Sequence, residues 1–165
     1  MRAVFVLVLA LSSALFGQVP ATPDFSGTWK VETGKEAMPK NATGRSGVLT
    51  IVNSPPRIEF HYIHPGKDTV RVYKTDGKER ALTRVPVGIL LTKAYWKNGA
   101  LIIENRLVLS GGDPFNGTDM HMKSTWSLSD GGRELTEVTQ SDAPKVVPGT
   151  MVIAPKLVVT VYDRQ

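Results

Sequence analysis

Three histidines, His61, His64 and His121, are the side chains best suited to holding a metal or moving a proton near neutral pH. His61 and His64 stand three apart in an extended run, which sends them to opposite faces, so they read as surface histidines beside a turn and share an ion only if the strand ends at Ile63. His121 follows Asp119 by two, the right parity for one face, but two ligands without a third make no site. The absence of cysteine removes a thiolate nucleophile, a disulfide framework, an iron-sulfur cluster and a cysteine zinc site together. The loop from Asp113 to Asp119 offers oxygen-bearing side chains and a glycine, yet the alternation is wrong for a calcium loop and its twelfth position is Ser124 instead of Glu. No Gly-x-Ser-x-Gly elbow accompanies the many hydroxyls. Glu59, Glu104, Glu134 and Glu137 each sit in alternating runs, as solvated residues do. These residues predict no catalytic residue, no metal site and no cofactor.

The elements that would position any site are strands. Arg57 to Ile63 and Thr69 to Lys74 alternate apolar and polar residues, the period of a half-buried strand. Similar runs predict strands near 24–33, 47–53, 57–64, 69–75, 79–85, 88–97, 100–110, 119–129, 133–141 and 156–163. Asp76-Gly77 and Asn98-Gly99 tolerate the positive φ of type I′ turns and predict tight hairpins, with a third at Ser129-Asp130-Gly131-Gly132. Residues 110–117 form a longer connection. Residues 34–46 contain Pro39 and two glycines with no apolar stripe, so no helix is expected there. Strands joined by short hairpins make an antiparallel up-and-down meander, and a meander this long closes into a barrel of about 8–10 strands because closure removes exposed edges. A two-sheet sandwich is the competing architecture. Three rows are candidate interior: Leu101, Ile103, Asn105, Leu107 and Leu109; Met120, Met122, Ser124, Trp126 and Leu128; and Ile89, Leu91, Lys93 and Tyr95.

The chain of 165 residues holds one such domain, residues 22–165, behind an N-terminal export signal at 1–21. Arg2 precedes an uncharged apolar run that ends at Phe16, with small residues after it, so cleavage falls after Gly17 or Ala21. The run is too short for a membrane span. The expected location is therefore periplasmic or extracellular, with no stable span after cleavage. The formal charge of +5 comes from Lys and Arg scattered singly among acids, without a basic run, so no nucleic-acid partner is expected.

Asp24-Phe25-Ser26-Gly27-Thr28-Trp29-Lys30-Val31 resembles the opening strand of the calycins, matching the Gly-x-Trp of lipocalins and the Phe-x-Gly-Thr-Trp-Lys of fatty-acid-binding proteins. The end of the chain, Val159 to Gln165, resembles their closing strand. With the export signal, the chain looks most like small exported lipocalin-like bacterial proteins with the same opening. The resemblance implies a lipocalin-like barrel whose base Trp29 plugs, with Gly27 allowing close backbone approach. The carboxylate-binding Arg-x-Tyr of fatty-acid-binding proteins falls on Thr160-Val161-Tyr162, where the Tyr matches and the Arg does not. Residues 34–46 are also too few for their two-helix lid.

Together with the inner rows, the resemblance implies a non-catalytic binding protein for a small, largely apolar molecule. Trp29, Met122 and Trp126 would be apolar walls, and Lys93, Asn105, Ser124 or Tyr162 polar handles. The alternative is a filled barrel acting as a structural or protein-contact module of the cell envelope. The stretch 143–156, with its three prolines and apolar residues, is expected to fold over one mouth of the barrel.

Overall fold

The computed structural model describes residues 22–32, 47–64, 67–86, 88–109, 119–129, 131–142 and 156–165. The expected export signal at 1–21, residues 34–46, the expected connection at 110–117 and residues 143–155 lie outside the described residues. So does the turn expected at Pro65-Gly66.

Ten antiparallel strands make up the described structure: β1 (Gly27–Val31), β2 (Val48–Ser54), β3 (Arg57–His64), β4 (Lys67–Lys74), β5 (Arg80–Val85), β6 (Gly88–Lys97), β7 (Ala100–Leu109), β8 (Met120–Leu128), β9 (Glu134–Asp142) and β10 (Lys156–Arg164). They form one sheet in the order β4-β3-β2-β1-β10-β9-β8-β7-β6-β5. No helix occurs among the described residues.

The sheet curls onto itself. Phe60 of β3 and Trp126 of β8 have four strands between them in the sheet, yet their ring centroids are 4.9 Å apart. Phe25 meets Trp96 of β6 edge-on at 5.1 Å. The rolled-up sheet is thus an up-and-down barrel whose hydrogen-bonded ends, β4 and β5, do not pair with each other. A single bridge, Asp76 to Tyr95, and the bond from Gly77 N–H to Ala94 C=O at 2.9 Å link the chain after β4 to β6.

One end of the barrel is packed solid. Phe25, Trp29, Leu49, Ile51, Ile58, Phe60, Leu101, Trp126 and Leu135 are all at most 1 % exposed. Full burial of such side chains contributes about 1.5–3 kcal/mol each. Trp29 plugs this end as expected, and its Nε1 donates to Phe25 O at 3.0 Å. The Arg164 guanidinium covers its ring at 4.7 Å. Gly27 is required for its backbone rather than for space: φ is +136°, whereas a Cβ there would meet only ordinary contacts at 3.8–3.9 Å.

Two expectations about local structure need correction. Asn98 (φ 50°) and Gly99 (φ 76°) form the expected hairpin turn between β6 and β7. Asp76-Gly77 does not, because only Gly77 has positive φ and the strands on either side lie at opposite ends of the sheet. The Asp76 carboxylate instead caps Lys78 N–H at 3.1 Å and receives the Arg80 guanidinium. The second correction is the face of β6. Thr92 stands opposite Asn105, Ala94 opposite Ile103 and Trp96 opposite Leu101, so these face inward and Ile89, Leu91, Lys93 and Tyr95 face out. Burial agrees, with Thr92 at 8 % and Ala94 at 2 %.

Candidate functional site

Beyond the packed end the inner face of the barrel holds a half-open cavity of about 180 Å³. One wall comes from β3 and β4, with Tyr62, Arg71 and Tyr73; the facing wall comes from β7, β8 and β9, with Asn105, Ser124, Trp126, Glu137 and Thr139. Strand periodicity and register bring the second wall together. Ile103 pairs with Ser124, Ser124 with Thr139, and Trp126 with Glu137, so alternate residues of three adjacent strands share the inner face.

A directional hydrogen-bond chain runs along this wall. Thr139 Oγ1 donates to Glu137 Oε1 at 3.1 Å, which uses its one hydrogen; Ser124 Oγ, 2.8 Å away, is therefore the donor to Thr139. Tyr162 OH donates to the other carboxylate oxygen at 3.3 Å. Glu137 is 5 % exposed, a position where a carboxylate requires such donors. Asn105 Oδ1 and Trp126 Nε1 are buried and have no partner.

Across the cavity, burial pushes the Tyr62 and Tyr73 phenols above their ordinary 10.0. The Glu137 charge pushes both further up, while Arg71 opposes it. Both remain neutral O–H groups at physiological pH. The Arg71 guanidinium lies over the Tyr62 ring, 5.7 Å from its centroid. Phe60 organises this side, packing against Tyr62 at 6.2 Å, Tyr73 at 5.6 Å and Trp126 at 4.9 Å.

The structure sorts the residues expected at the site into three groups. Asn105, Met122, Ser124 and Trp126 line the cavity, with Met122 41 % exposed. Trp29 belongs to the packed core, and Tyr162 stands at Glu137, 2 % exposed. Lys93 is not a handle inside the barrel: it faces out, pairs with Glu104 at 3.3 Å and lies over Tyr95 at 5.0 Å. Thr160, at the position of the fatty-acid-binding Arg, is 1 % exposed and sits directly across from Glu137. Glu137 itself was legible as a solvated residue only. Its parity with Leu135 and Thr139 is the signal for burial, and Val138 on the other parity conceals it.

A larger concavity of about 460 Å³ lies on the outer side of β6 to β9. Most of its charges are mutually paired. Arg106 forks onto Glu79 at 2.7 and 3.2 Å and reaches Asp119 at 3.0 Å, and Tyr95 OH donates to Glu104 at 2.8 Å. Exposed ion pairs of this kind contribute little, whereas the smaller cavity holds buried polar groups and aromatic rings on the barrel's inner face, so the smaller cavity is the candidate. His61 is satisfied by Glu59 at 3.3 Å, and Asp119 is held by Arg106 instead of pairing with His121. Glu32, Glu134 and Asp163 bring carboxylate oxygens within 4.8 Å of one another, a trio the sequence reading did not single out.

No family model and no curated protein sequence matches the chain. Solved structures do match its fold. Fatty-acid-binding protein 1 of Echinococcus granulosus aligns with a TM-score of 0.54 and 15 % identity over 85 % of this chain and 96 % of its own. The chain shares its barrel fold. A REP1-NXSQ fatty acid transporter aligns at 0.54 and 12 % identity over 86 % of this chain and 96 % of that one. Secretory abundant heat soluble protein 4 of Ramazzottius varieornatus aligns at 0.57 and 13 % identity over 86 % and 94 %. The architecture expected from the opening strand is thus present, and identities this low establish fold alone.

Proposed function

We propose that the protein is a non-catalytic binding protein for a small molecule held inside the barrel. The observation that carries this reading is the inner cavity, where a hydrogen-bonded wall through Ser124, Thr139 and Glu137 faces an aromatic one. Ile103, Met122 and Trp126 would take the apolar part of the ligand, and the polar wall its head. Asn105 Oδ1 and Trp126 Nε1 supply an acceptor and a donor that a ligand head would satisfy. The fatty-acid-binding and transporter proteins that share the fold support an apolar component. The apolar run at 4–16 behind Arg2 supports export to the periplasm or the exterior, in keeping with the bacterial lipocalin-like proteins that share the opening strand.

A second reading, a filled barrel serving as a contact module, draws on the solid packing around Trp29 and Phe60. Mass spectrometry of organic extracts from protein purified from its own host, together with titration by environment-sensitive apolar probes, separates the two. A co-purifying small molecule and saturable quenching of tryptophan fluorescence are expected. Neither a ligand nor saturable quenching would select the filled barrel.

A further inference from the structure

We infer that the cavity receives a neutral, hydroxyl-rich ring the size of a single pyranose, hydrogen-bonded by Ser124 and Asn105 on one wall and set against Tyr62 and Tyr73 on the other. The inference rests on the small-molecule reading above and names the ligand class for that site. Size, lining and hydrogen-bond direction each point to it.

At about 180 Å³ the cavity is small. A cavity of about 150 Å³ holds one benzene ring, and pockets for drug-sized ligands run to about 300–1,000 Å³. One six-membered ring therefore fills it, whereas a long acyl chain could not fold inside.

The lining is hydrogen-bonding almost throughout. Of the described residues around the cavity, only Ile103 and Met122 lack an ordinary donor or acceptor. Its two charged side chains are already engaged. Thr139 and Tyr162 donate to Glu137, and the Arg71 guanidinium lies 5.7 Å from the Tyr62 centroid. A ligand head is thus left with hydroxyls and the Asn105 carboxamide, natural partners for neutral O–H groups that each donate and accept. Between its hydroxyl edges such a ring has apolar C–H faces, which Ile103 and the aromatic rings suit.

Direction adds to composition. Thr139 gives its hydrogen to Glu137 and Ser124 gives its own to Thr139, so toward the cavity Ser124 Oγ can only accept. A chain that ends on a carboxylate polarises this acceptor and strengthens it. Asn105 stands opposite Met122, two residues from Ser124 along β8, so Asn105 and Ser124 are diagonal neighbours on the inner face, about 7–8 Å apart. Two hydroxyls of one ring bridge that spacing, the one at Ser124 as donor. The rival is a carboxylate head captured by the exposed Arg71.

The test is titration of the full chain, below micelle-forming concentrations, with octyl glucoside, octanol and octanoate, followed by calorimetry and tryptophan fluorescence. Octyl glucoside is expected to bind roughly tenfold more tightly than the other two, which offer the same tail with a smaller head. Ser124→Ala and Asn105→Ala should each weaken octyl glucoside by about fivefold without weakening octanoate. Arg71→Gln should leave octyl glucoside unchanged. Circular dichroism checks the fold of each variant, and either alanine variant decides the matter if the other does not fold. Octanol or octanoate binding as tightly as the glucoside, glucoside binding that neither alanine variant weakens, or glucoside binding lost in Arg71→Gln overturns the inference and leaves the small-molecule reading standing. A preference for octanoate that Arg71→Gln abolishes selects the rival. No binding of any of the three overturns both readings.

Discussion

Thr139 is the middle link of the buried chain, so Thr139→Val is the sharpest single test of whether that chain stabilises the barrel. The replacement keeps the branched shape and removes one oxygen, and with it two hydrogen bonds. The bond from Ser124 is neutral and contributes about 0.5–1.5 kcal/mol; the bond to the Glu137 carboxylate contributes about 1.5–3 kcal/mol. The adjoining cavity of about 180 Å³ admits water to the freed groups, which offsets part of the loss. The expected destabilisation is therefore about 2 kcal/mol, which lowers Tm by about 4–8 °C for a chain of this size. Urea unfolding with an unchanged m-value would measure it. The control is Thr125→Val, on the outward parity of β8, expected within about 0.5 kcal/mol of wild type. A double-mutant cycle with Glu137→Gln should give a coupling of at least about 1 kcal/mol. Equal stability of the two valine variants, or a coupling near zero, would refute the reasoning.

Trp29→Phe keeps an aromatic plug but strands the Phe25 carbonyl and weakens the Arg164 stack; it should cost about 2–3 kcal/mol in denaturant unfolding, with the circular dichroism of a β-protein retained. A Cβ at Gly88 would run into the backbone oxygen of Val108, so Gly88→Ala should cost about 3 kcal/mol or more, seen as a lowered thermal midpoint. Hydrogen bonding from Arg80 holds the Asp76 carboxyl well below its ordinary 3.8. A depressed folded-state pKa contributes stability that is present above the unfolded value and lost as pH falls through the folded one. Urea midpoints taken from neutral pH to about pH 3 should therefore show the advantage of wild type over Asp76→Asn shrinking toward the acid end.

All ten strands were legible because each combines alternation with a turn at its end, and both signals are local. What was not legible depends on which partners the folded barrel brings to each segment. Asp76-Gly77 carries the same kind of turn signal as Asn98-Gly99. The first is claimed by Arg80 and by the β6 backbone, whereas the second is left to close a hairpin. In β6 both faces are partly apolar, so the pattern did not decide between them. The pairing of Thr92 and Ala94 with Asn105 and Ile103 did, and it moved Lys93 to the outside. On β8 the row Met122, Ser124, Trp126 had no such rival, and half of the cavity wall could be read from it. Glu137 was missed because a lone acid in an alternating strand has the composition of a surface residue. Its burial follows from Tyr162 of β10 and the facing β3 and β4, which meet it only in the folded barrel.

Strand order bears on how the barrel can assemble. β1 to β4 pair only with sequence neighbours, and so do β5 to β10; one ladder, β1 with β10, joins the two arrays. Each array can zip up from successive hairpins with little loss of chain freedom. The joining ladder must bring Val31 to Tyr162, enclosing nearly the whole domain in one loop. Collapse should therefore yield two preformed ribbons whose meeting limits the folding rate. Trp29, placed on β1 at that junction with its ring under Arg164 of β10, is positioned to report when they meet.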